Sequence, residues 1–350
     1  MKVYLLRMDA SVEIGMGHLM RCLALAHTLL AKGVTPIFVC RGYSDYIEKM
    51  LQNHNFKREK LPAGCSFEEE LALITQIIKD YDAEVTVVDL CYNENLKHIE
   101  RYVNYLEKLR QSGSKLMIID DLNILPFNAE VVLNPNYGAE KLPYENKNKV
   151  TYLLGIKYFL FRPEFIKVAD KQRVIREQVS RVLITLGGSD VLNVTPKVMR
   201  ALVQLSRTRP MELVIVAGLN EHDKELFSML NDFSGKYRIC AGSDNMAELM
   251  LWCDLAITAG GLTKYETALT GTPSIIISQV KHQYDLTELF MHEGTALHLG
   301  LGSEVSENRI GEAIKGLLYD YGQRLKMSLN GKRLMDGKGA QRVVEVLTGL

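Results

Sequence analysis

Short apolar stretches rich in β-branched residues alternate with longer amphipathic stretches along most of this chain. The first strand-like stretches are 2–6, 36–40, 84–90, 115–121 and 129–134. Apolar residues at helical spacing occupy 18–31, 45–54, 69–81 and 95–113. Because a crossover helix is the usual connection between neighbouring parallel strands, this alternation predicts a parallel sheet with helices on both faces.

The alternation stops between residues 135 and 180 and then begins again. The interruption contains three prolines and ends in the charged run KVADKQRVIREQVSR. Strand-like stretches recur at 181–186, 212–218, 237–242, 254–261 and 273–278, with helical stretches at 196–208, 223–233, 245–253 and 263–271 and a mostly helical tail at 307–350. We therefore predict two α/β domains, 1–170 and 171–350, each with ligand sites at the carboxyl ends of its strands.

Charge and hydropathy narrow the range of partners. Lys plus Arg and Asp plus Glu both number 42, and no basic run is suited to nucleic acid. No apolar run approaches the roughly 18 residues of a membrane-spanning helix, and no signal-peptide pattern opens the chain. The six cysteines lack zinc-site spacing. We expect a cytoplasmic protein with no metal, no nucleic-acid partner and no membrane insertion; its oligomeric state is unknown from sequence.

The loop after the first strand, RMDASVEIGMGHLMR, contains the first candidate site. Gly15 and Gly17 permit close backbone approach, and His18 stands at the predicted start of a helix, where a neutral imidazole is favoured and can act as a base. A histidine that merely fills a turn is the alternative. A dinucleotide site is disfavoured, because position 20 is Met and Arg41 follows the second strand where an acid is expected.

Acidic residues follow two other predicted strands. Asp89 ends the stretch VVD, and Asp120 and Asp121 end IID and begin the next loop. Acids at the carboxyl ends of parallel strands are well placed to line a ligand cleft. Helix capping or turn formation is the equally open alternative.

Two glycine-rich loops in the second half are candidate phosphate sites. In TLGGSDVLNVT, Gly187, Gly188 and Ser189 offer backbone N–H groups to a diphosphate, or form an ordinary tight turn. We expect Asn193 and Thr195 to cap the helix that follows.

The second glycine-rich loop is TAGGLTKYE. Gly260 and Gly261 separate a strand from a helix, and Thr263 at the helix start suits a phosphate. Glu266, one turn further, suits the two hydroxyls of a ribose. The alternatives are a helix cap for Thr263 and a surface charge for Glu266. The run VKHQYD, with His282, Gln283 and Asp285, follows as a further part of the same predicted cleft.

The order of several segments resembles the nucleotide-sugar hydrolase of pseudaminic acid biosynthesis, which removes UDP from UDP-2,4-diacetamido-2,4,6-trideoxy-β-L-altropyranose. These segments are RMDASVEIGMGHLMRCLALA, VVD, IIDDL, LLGIKYFLFRPEF, LITLGGSDVLNVT and ITAGGLTKYETALTGTPSIII. The chain also resembles the spore coat polysaccharide biosynthesis proteins and, more distantly, the undecaprenyl-pyrophosphoryl-muramoylpentapeptide N-acetylglucosaminyltransferase. The resemblance spans about residues 1–300.

This resemblance implies the GT-B fold, in which two Rossmann-like domains with parallel sheets face each other across a cleft. In such proteins a last helix often crosses back to the first domain. The resemblance further implies a hydrolase that acts on a UDP-sugar without a cofactor or metal, by C–O cleavage with inversion. His18 would be the general base.

The remaining site residues are carried over from the same resemblance. It implies that substrate is bound or His18 is oriented by residues of the first domain: Arg7, Asp9, Gly15, Gly17, Arg21 and Asp89. It implies that UDP is bound by residues of the second domain: Gly187, Gly188, Ser189, Asp190, Gly260, Gly261, Leu262, Thr263, Glu266 and Gln283.

The chain departs from the family pattern at two places. LCYNEN follows VVD where a His- or Tyr-containing run is more usual, and Thr263-Lys264-Tyr265-Glu266 stands where Thr-Trp-Glu or Ser-Trp-Glu is usual. These departures concern the identity of the sugar more than the chemistry. Two alternatives stay open, a GT-B glycosyltransferase with a nucleotide-sugar donor and a non-catalytic nucleotide-sugar-binding protein.

Overall fold

The chain forms two compact units. The computed structural model describes residues 2–10, 16–42, 45–90, 99–125, 127–144, 149–187, 190–217, 224–241 and 245–350. One unit comprises Met1–Pro163 together with Lys338–Leu350, and the other comprises Glu164–Gly337. The chain therefore leaves the first unit after Pro163 and re-enters it at Lys338.

The first unit is built around a seven-stranded sheet. Its strands are β1 Val3–Met8, β2 Thr35–Arg41, β3 Lys57–Leu61, β4 Ala83–Asp89, β5 Lys115–Ile119, β6 Val131–Asn134 and β7 Thr151–Leu154. Its helices are α1 Gly17–Ala31, α2 Asp45–Asn53, α3 Phe67–Tyr81 and α4 Ile99–Arg110, and two short 3-10 helices lie at Ala139–Lys141 and Ile156–Tyr158. The strand order is β3-β2-β1-β4-β5-β6-β7, and every neighbouring pair is parallel.

Side chains of this sheet alternate between two apolar layers. Tyr4 and Leu6 of β1 pack in one layer with apolar residues of α1, whereas Leu5 packs in the other layer with residues of α3 and α4. Successive residues of a strand point to opposite faces, so a strand covered on both faces is mostly apolar. By this period Arg7 shares the face of Leu5, which places a guanidinium inside the α3 and α4 layer.

The second unit repeats the design with six strands. These are β8 Arg181–Thr185, β9 Met211–Ala217, β10 Gly235–Ala241, β11 Leu255–Ala259, β12 Ser274–Ser278 and β13 Leu297–Leu301. Its helices are α5 Pro163–Ile166, whose first residue lies in the first unit, α6 Val194–Ser206, α7 Lys224–Asp232, α8 Met246–Trp252, α9 Thr263–Thr270, α10 Lys281–Met291, α11 Glu307–Tyr319 and α12 Tyr321–Leu334. The order β10-β9-β8-β11-β12-β13 is again parallel throughout.

A last helix, α13 Gly339–Thr348, is part of the first unit. Val343, Val344 and Leu347 lie in the same apolar layer as α1, and the Tyr4 hydroxyl donates to the Leu347 carbonyl over 2.9 Å. Gly339 allows this helix to begin against the backbone at Phe159, because an added Cβ would lie 2.2 Å from the Phe159 carbonyl oxygen.

Three strands were not predicted from the sequence, and each lies at a sheet edge. β3 and β7 form the two edges of the first sheet, and β13 forms one edge of the second. The predicted helix over 95–113 is described from Ile99 to Arg110, and its first residues lie outside the described part. No helix within the described ranges is long and apolar enough to span a membrane.

Candidate functional site

The strand order of the first unit reverses between β1 and β4. In open parallel sheets such a reversal opens a crevice at the carboxyl ends of the two strands. Asp9 follows β1, Asp89 ends β4, and Asp121 follows β5 at this edge, while α1 begins with Gly17 and His18. Gly15 lies outside the described residues.

His18 and Asp89 form a hydrogen-bonded pair. The His18 Nδ1 lies 2.7 Å from the Asp89 Oδ1. Asp89 is fully buried, whereas the His18 side chain is 13% exposed. Burial opposes ionisation of Asp89, but the positive charge of Arg21 and the bond with His18 outweigh it and lower the pKa of this carboxyl. An ionised Asp89 accepts the Nδ1 proton, which makes Nε2 the basic nitrogen of a neutral ring.

Arg21 is bound to two carboxylates at once. It lies one turn after His18 on α1, and its Nε and Nη2 each donate to an oxygen of Asp89 over 2.5 Å. Its Nη1 and Nη2 donate to the two oxygens of Asp121, both over 2.9 Å. The Asn136 amide also donates to Asp121 over 2.9 Å. We call His18, Asp89, Arg21, Asp121 and Asn136 the His18 network.

Arg21 also approaches the imidazole itself. Its Nη2 lies 3.1 Å from the His18 Nδ1. A guanidinium has no lone pair and can only donate, so Nδ1 cannot both donate to Asp89 and accept from Arg21. The shorter distance to the carboxylate favours the Nδ1–H···Asp89 bond, and Arg21 is then a neighbouring cation.

Arg7 lies in a second ion-pair cluster on the same edge. Its guanidinium is completely buried and donates to both oxygens of Glu70, over 2.7 and 3.0 Å, and to both oxygens of Asp9. The Arg41 Nε and the Tyr105 hydroxyl also donate to Glu70. We call Arg7, Asp9, Arg41, Glu70 and Tyr105 the Arg7 cluster.

The Arg7 cluster fixes the backbone at the end of β1. Asp9 accepts a bond of 2.9 Å from the Arg41 backbone N–H, which ties the loop after β1 to the end of β2. Arg41 follows the second strand, where a dinucleotide-binding protein carries an acid. Here Arg41 forms an ion pair with Glu70 of α3. Arg7 and Asp9 thus anchor the residues directly after β1, and the prediction that they orient His18 or a sugar stays a prediction.

The Gly187–Asp190 loop lies at the carboxyl end of β8, where the order of the second sheet reverses. Gly187 has a φ of +94°, a conformation that favours glycine. Gly188 and Ser189 lie outside the described residues. Asp190 accepts from the backbone N–H groups of Val194, over 3.0 Å, and Thr195, over 2.7 Å.

The expected helix cap of α6 is therefore wrong. Asn193 occupies the N-cap position in a left-handed conformation without a capping bond from its side chain. Asp190, four residues before the first bonded N–H, supplies both bonds instead. The sequence showed an Asn next to the helix and gave no sign that the loop folds back to bring Asp190 there.

Two glutamines connect the glycine-rich loops of the second unit. The Gln279 amide donates to Asp190 over 3.0 Å and accepts from the Leu192 N–H over 3.1 Å. Gln283 accepts from the Gln279 N–H over 3.1 Å, and its side-chain nitrogen lies close to Gly261. Gln283 was a predicted site residue, whereas Gln279 was missed, although it follows a strand as the other candidates do.

Side chains of β12 and α10 pack closely against the Gly260–Gly261 turn. A Cβ on Gly260 would lie 2.5 Å from the Ser278 hydroxyl oxygen and 2.8 Å from that of Thr287. The Lys264 ammonium is buried and donates to the carbonyls of Gly260, over 2.8 Å, and Gly261, over 3.2 Å. Glycine is required at position 260 because no side chain fits there.

Thr263 and Glu266 belong to α9, which begins at Thr263 after Leu262. The Glu266 side chain is buried, so the interpretation of Glu266 as a surface charge is wrong. Asp285, by contrast, is exposed and pairs with Lys281 on α10.

Next to Gly260, a serine, a histidine and a glutamate are connected by hydrogen bonds in the order of a serine-hydrolase triad. The Ser278 hydroxyl lies 3.0 Å from the His298 Nε2, and the His298 Nδ1 lies 2.5 Å from Glu288. Burial lowers the pKa of His298. Ser278 is itself fully buried, so these groups support the glycine turn rather than present a nucleophile to substrate.

Comparison with known proteins extends these observations. The family model described as lipid-A-disaccharide synthetase matches residues 163–286. A spore coat polysaccharide biosynthesis protein of Bacillus subtilis, SpsG, is 24% identical over 98% of this chain and 96% of its own length. The UDP-2,4-diacetamido-2,4,6-trideoxy-β-L-altropyranose hydrolase of Campylobacter jejuni is 25% identical over 81% of this chain and 93% of its own length.

One relative extends well beyond the match. An uncharacterized protein of Methanocaldococcus jannaschii is 32% identical over 83% of this chain, and the match spans 58% of that relative's length. Among solved structures, MurG of Acinetobacter baumannii superposes with a TM-score of 0.69 at 15% identity and covers 99% of both chains.

The chain has the GT-B fold, as this structural neighbour and its two parallel sheets show. The resemblance to the spore coat proteins and the UDP-sugar hydrolases is confirmed by relatives that carry those names.

Proposed function

We propose that this GT-B protein is a nucleotide-sugar hydrolase of surface-polysaccharide biosynthesis. The proposed reaction releases UDP from a UDP-linked 2,4-diacetamido-2,4,6-trideoxy hexose by attack of water at the anomeric carbon. It is inverting and metal-independent, as the family resemblance implies. The related hydrolase of Campylobacter jejuni supports this choice, and so does the His18 network.

The hydrogen bond between His18 and Asp89 is the observation that carries the proposal. Asp89 is anionic and buried, and it fixes the tautomer in which Nε2 can accept a proton. The imidazole stands in the first turn of α1, at an edge of the sheet where parallel α/β proteins bind ligands.

Besides water and the UDP-sugar, the proposed step uses only His18 and Asp89. His18 Nε2 takes one proton from water as the water oxygen bonds to the anomeric carbon. The bond between that carbon and the diphosphate oxygen breaks, and its electron pair leaves with UDP. Asp89 stays ionised throughout and stabilises the imidazolium that forms.

We assign the nucleotide to the loops of the second unit. Backbone N–H groups of the Gly187–Asp190 loop and of the turn formed by Gly260, Gly261, Leu262 and Thr263 suit a diphosphate. Glu266 suits the ribose, and Gln283 lies beside Gly261. Gln279 links the two loops, because its amide donates to Asp190 and its backbone N–H donates to Gln283.

Incubation with a panel of UDP- and CMP-linked amino sugars in ¹⁸O-water, without an acceptor, tests the proposal. We expect release of UDP and ¹⁸O in the free sugar rather than in the phosphate. His18→Gln should lower the rate about 10²-fold or more, the usual contribution of a positioned general base. His54→Gln is the matched control and should keep the rate.

Other results would point elsewhere. Release only after addition of a sugar or lipid acceptor would favour a glycosyltransferase. UDP binding without any turnover would favour a non-catalytic nucleotide-sugar-binding protein. Equal rates for His18→Gln and wild type would remove His18 as the base.

A further inference from the structure

Arg21 is shared between Asp89 and Asp121, and this sharing affects the charge around His18. The two carboxylates and one guanidinium leave a net charge of minus one in the group. Arg21 and Asp89 are almost completely buried, and Asp121 is 17% exposed. Charges in such a setting interact strongly because little water screens them.

Asp89 would be a weak hydrogen-bond acceptor for His18 if Arg21 were bound to Asp89 and to no other carboxylate. A guanidinium bound to both oxygens of one carboxylate neutralises it and leaves a weak acceptor for a third group. In this structure the same guanidinium also binds both oxygens of Asp121, so its charge is divided between the two acids.

We propose that Asp121 is a positioning residue that acts through Arg21 to set the proton affinity and the tautomer of His18. By taking part of the positive charge of Arg21, Asp121 leaves Asp89 anionic enough to hold the Nδ1 proton. Its relevance to catalysis rests on the function proposed above, but the effect on the imidazole does not.

The charged groups of the His18 network come from three elements. Asp89 comes from β4, Arg21 from α1, and Asp121 from the loop after β5. The Cys22 thiol donates to Asp89 over 3.7 Å, and burial raises its pKa well above the usual value, so it stays neutral.

The ionisation of Asp121 is strongly favoured. Burial alone would raise the pKa of Asp121, but Arg21 outweighs it, and the bond from Asn136 adds to the effect, so the pKa lies below the usual range. Asp121 is thus negative at every pH at which the imidazole titrates. Its removal would leave Arg21 paired with Asp89 alone, which takes one negative charge away from the surroundings of Nδ1 and disfavours the imidazolium.

Histidine NMR tests this without any substrate. The chain has eight histidines, and His18→Gln identifies the ring signals of His18 by their loss. In protein labelled with ¹⁵N-histidine, we expect Asp121→Asn to move the titration midpoint of His18 to lower pH by about half a unit or more. The wild-type tautomer with Nδ1–H should also become less populated.

Two variants complete the test. Asp80→Asn, on an exposed part of α3, removes the same charge elsewhere in the unit and should leave the His18 midpoint unchanged. Asp121→Glu retains the charge and should restore most of the wild-type midpoint. If Asp121→Asn does not fold, Asp121→Ala takes its place in the comparison.

The proposal would be wrong if the His18 titration midpoint in Asp121→Asn or Asp121→Ala were the same as in wild type and in Asp80→Asn. Where UDP release is detected, the acid limb of the rate should move to lower pH by the amount seen in the NMR titration. A shifted midpoint in a protein that hydrolyses no UDP-sugar would contradict the proposed function and leave the role of Asp121 intact.

Discussion

Single side chains at the end of β1 and β4 decide much of the electrostatics of the first unit. The family resemblance implies that Arg7 binds substrate or orients His18, and the strand period places its side chain in the layer of α3 and α4. Glu70 makes this position possible, because its fully buried carboxylate pairs with both Arg7 and Arg41. The acid on α3 was not identified from the sequence, since EEEL reads as an ordinary charged first turn.

Glu70 should make the stability of the first unit depend on pH. Burial opposes its ionisation, but Arg7 and Arg41 outweigh it, so its folded pKa lies below the ordinary value of 4.5. A lowered folded pKa stabilises the native state above the unfolded pKa, and this contribution is lost as pH falls through the folded value. We expect the stability to decline below about pH 4.5.

Glu70→Gln tests this contribution. The change leaves two arginines without their shared carboxylate and should cost about 3 kcal/mol at pH 7. Urea unfolding followed by circular dichroism at pH 7 and pH 4 should show a smaller pH dependence in this variant. Glu68→Gln, exposed on the same helix, is the control; equal losses for both would contradict the buried ion pairs.

At the scale of helices and strands, central elements were predicted better than edge elements. β1, β4, β8 and β11 are mostly apolar because helices cover both faces, and such runs are easily recognised. β3 is the run KREKL, with one buried residue, and charged side chains are typical of an edge strand. β13 contains Gly300 with a positive φ, which weakens its strand pattern.

The same contrast holds for the candidate site. Acids and glycines after strands were found because they lie next to recognisable elements. Asn136, Gln279 and Glu70 were missed because their importance comes from contacts across 15 to 89 positions of sequence separation, which local patterns do not contain. The run NPN, which begins at the last residue of β6, was the one local signal for Asn136.

The start of α6 offers a prediction about one element. Asp190→Ala removes both bonds to the N–H groups of Val194 and Thr195 and should cost about 1 to 2 kcal/mol of the stability of the second unit. The chain's single tryptophan, Trp252, lies in this unit, so its fluorescence in urea reports the change.

Asn193→Gly is the control for this prediction. Its φ of 49° suits glycine, and its side chain makes no capping bond, so the cost should stay within a few tenths of a kcal/mol. A larger loss for Asn193→Gly than for Asp190→Ala would return the cap to Asn193.

At the scale of the whole molecule, the first unit is made from two separate parts of the chain. α13 supplies apolar side chains to the layer shared by α1 and β1. The contact depends on Gly339, whose position leaves no room for a Cβ beside the backbone of Tyr158 and Phe159.

Gly339→Ala should therefore destabilise the first unit by about 1 to 3 kcal/mol, the usual cost of forced overpacking. Gly316→Ala is a matched change within helix α11, where a Cβ meets nothing within 4 Å, and should stabilise by up to about 1 kcal/mol. Differential scanning calorimetry of both variants gives the comparison. A higher Tm for Gly339→Ala would rule out the close approach at Phe159.

The interrupted first unit has a consequence for synthesis on the ribosome. Chains usually complete their N-terminal domain first as they emerge. Here residues 1–163 emerge early but lack α13, which leaves the ribosome only after the continuous segment 164–337. During that interval the nascent first unit exposes the apolar surface that Val343, Val344 and Leu347 later cover, and it is then a natural client for a chaperone.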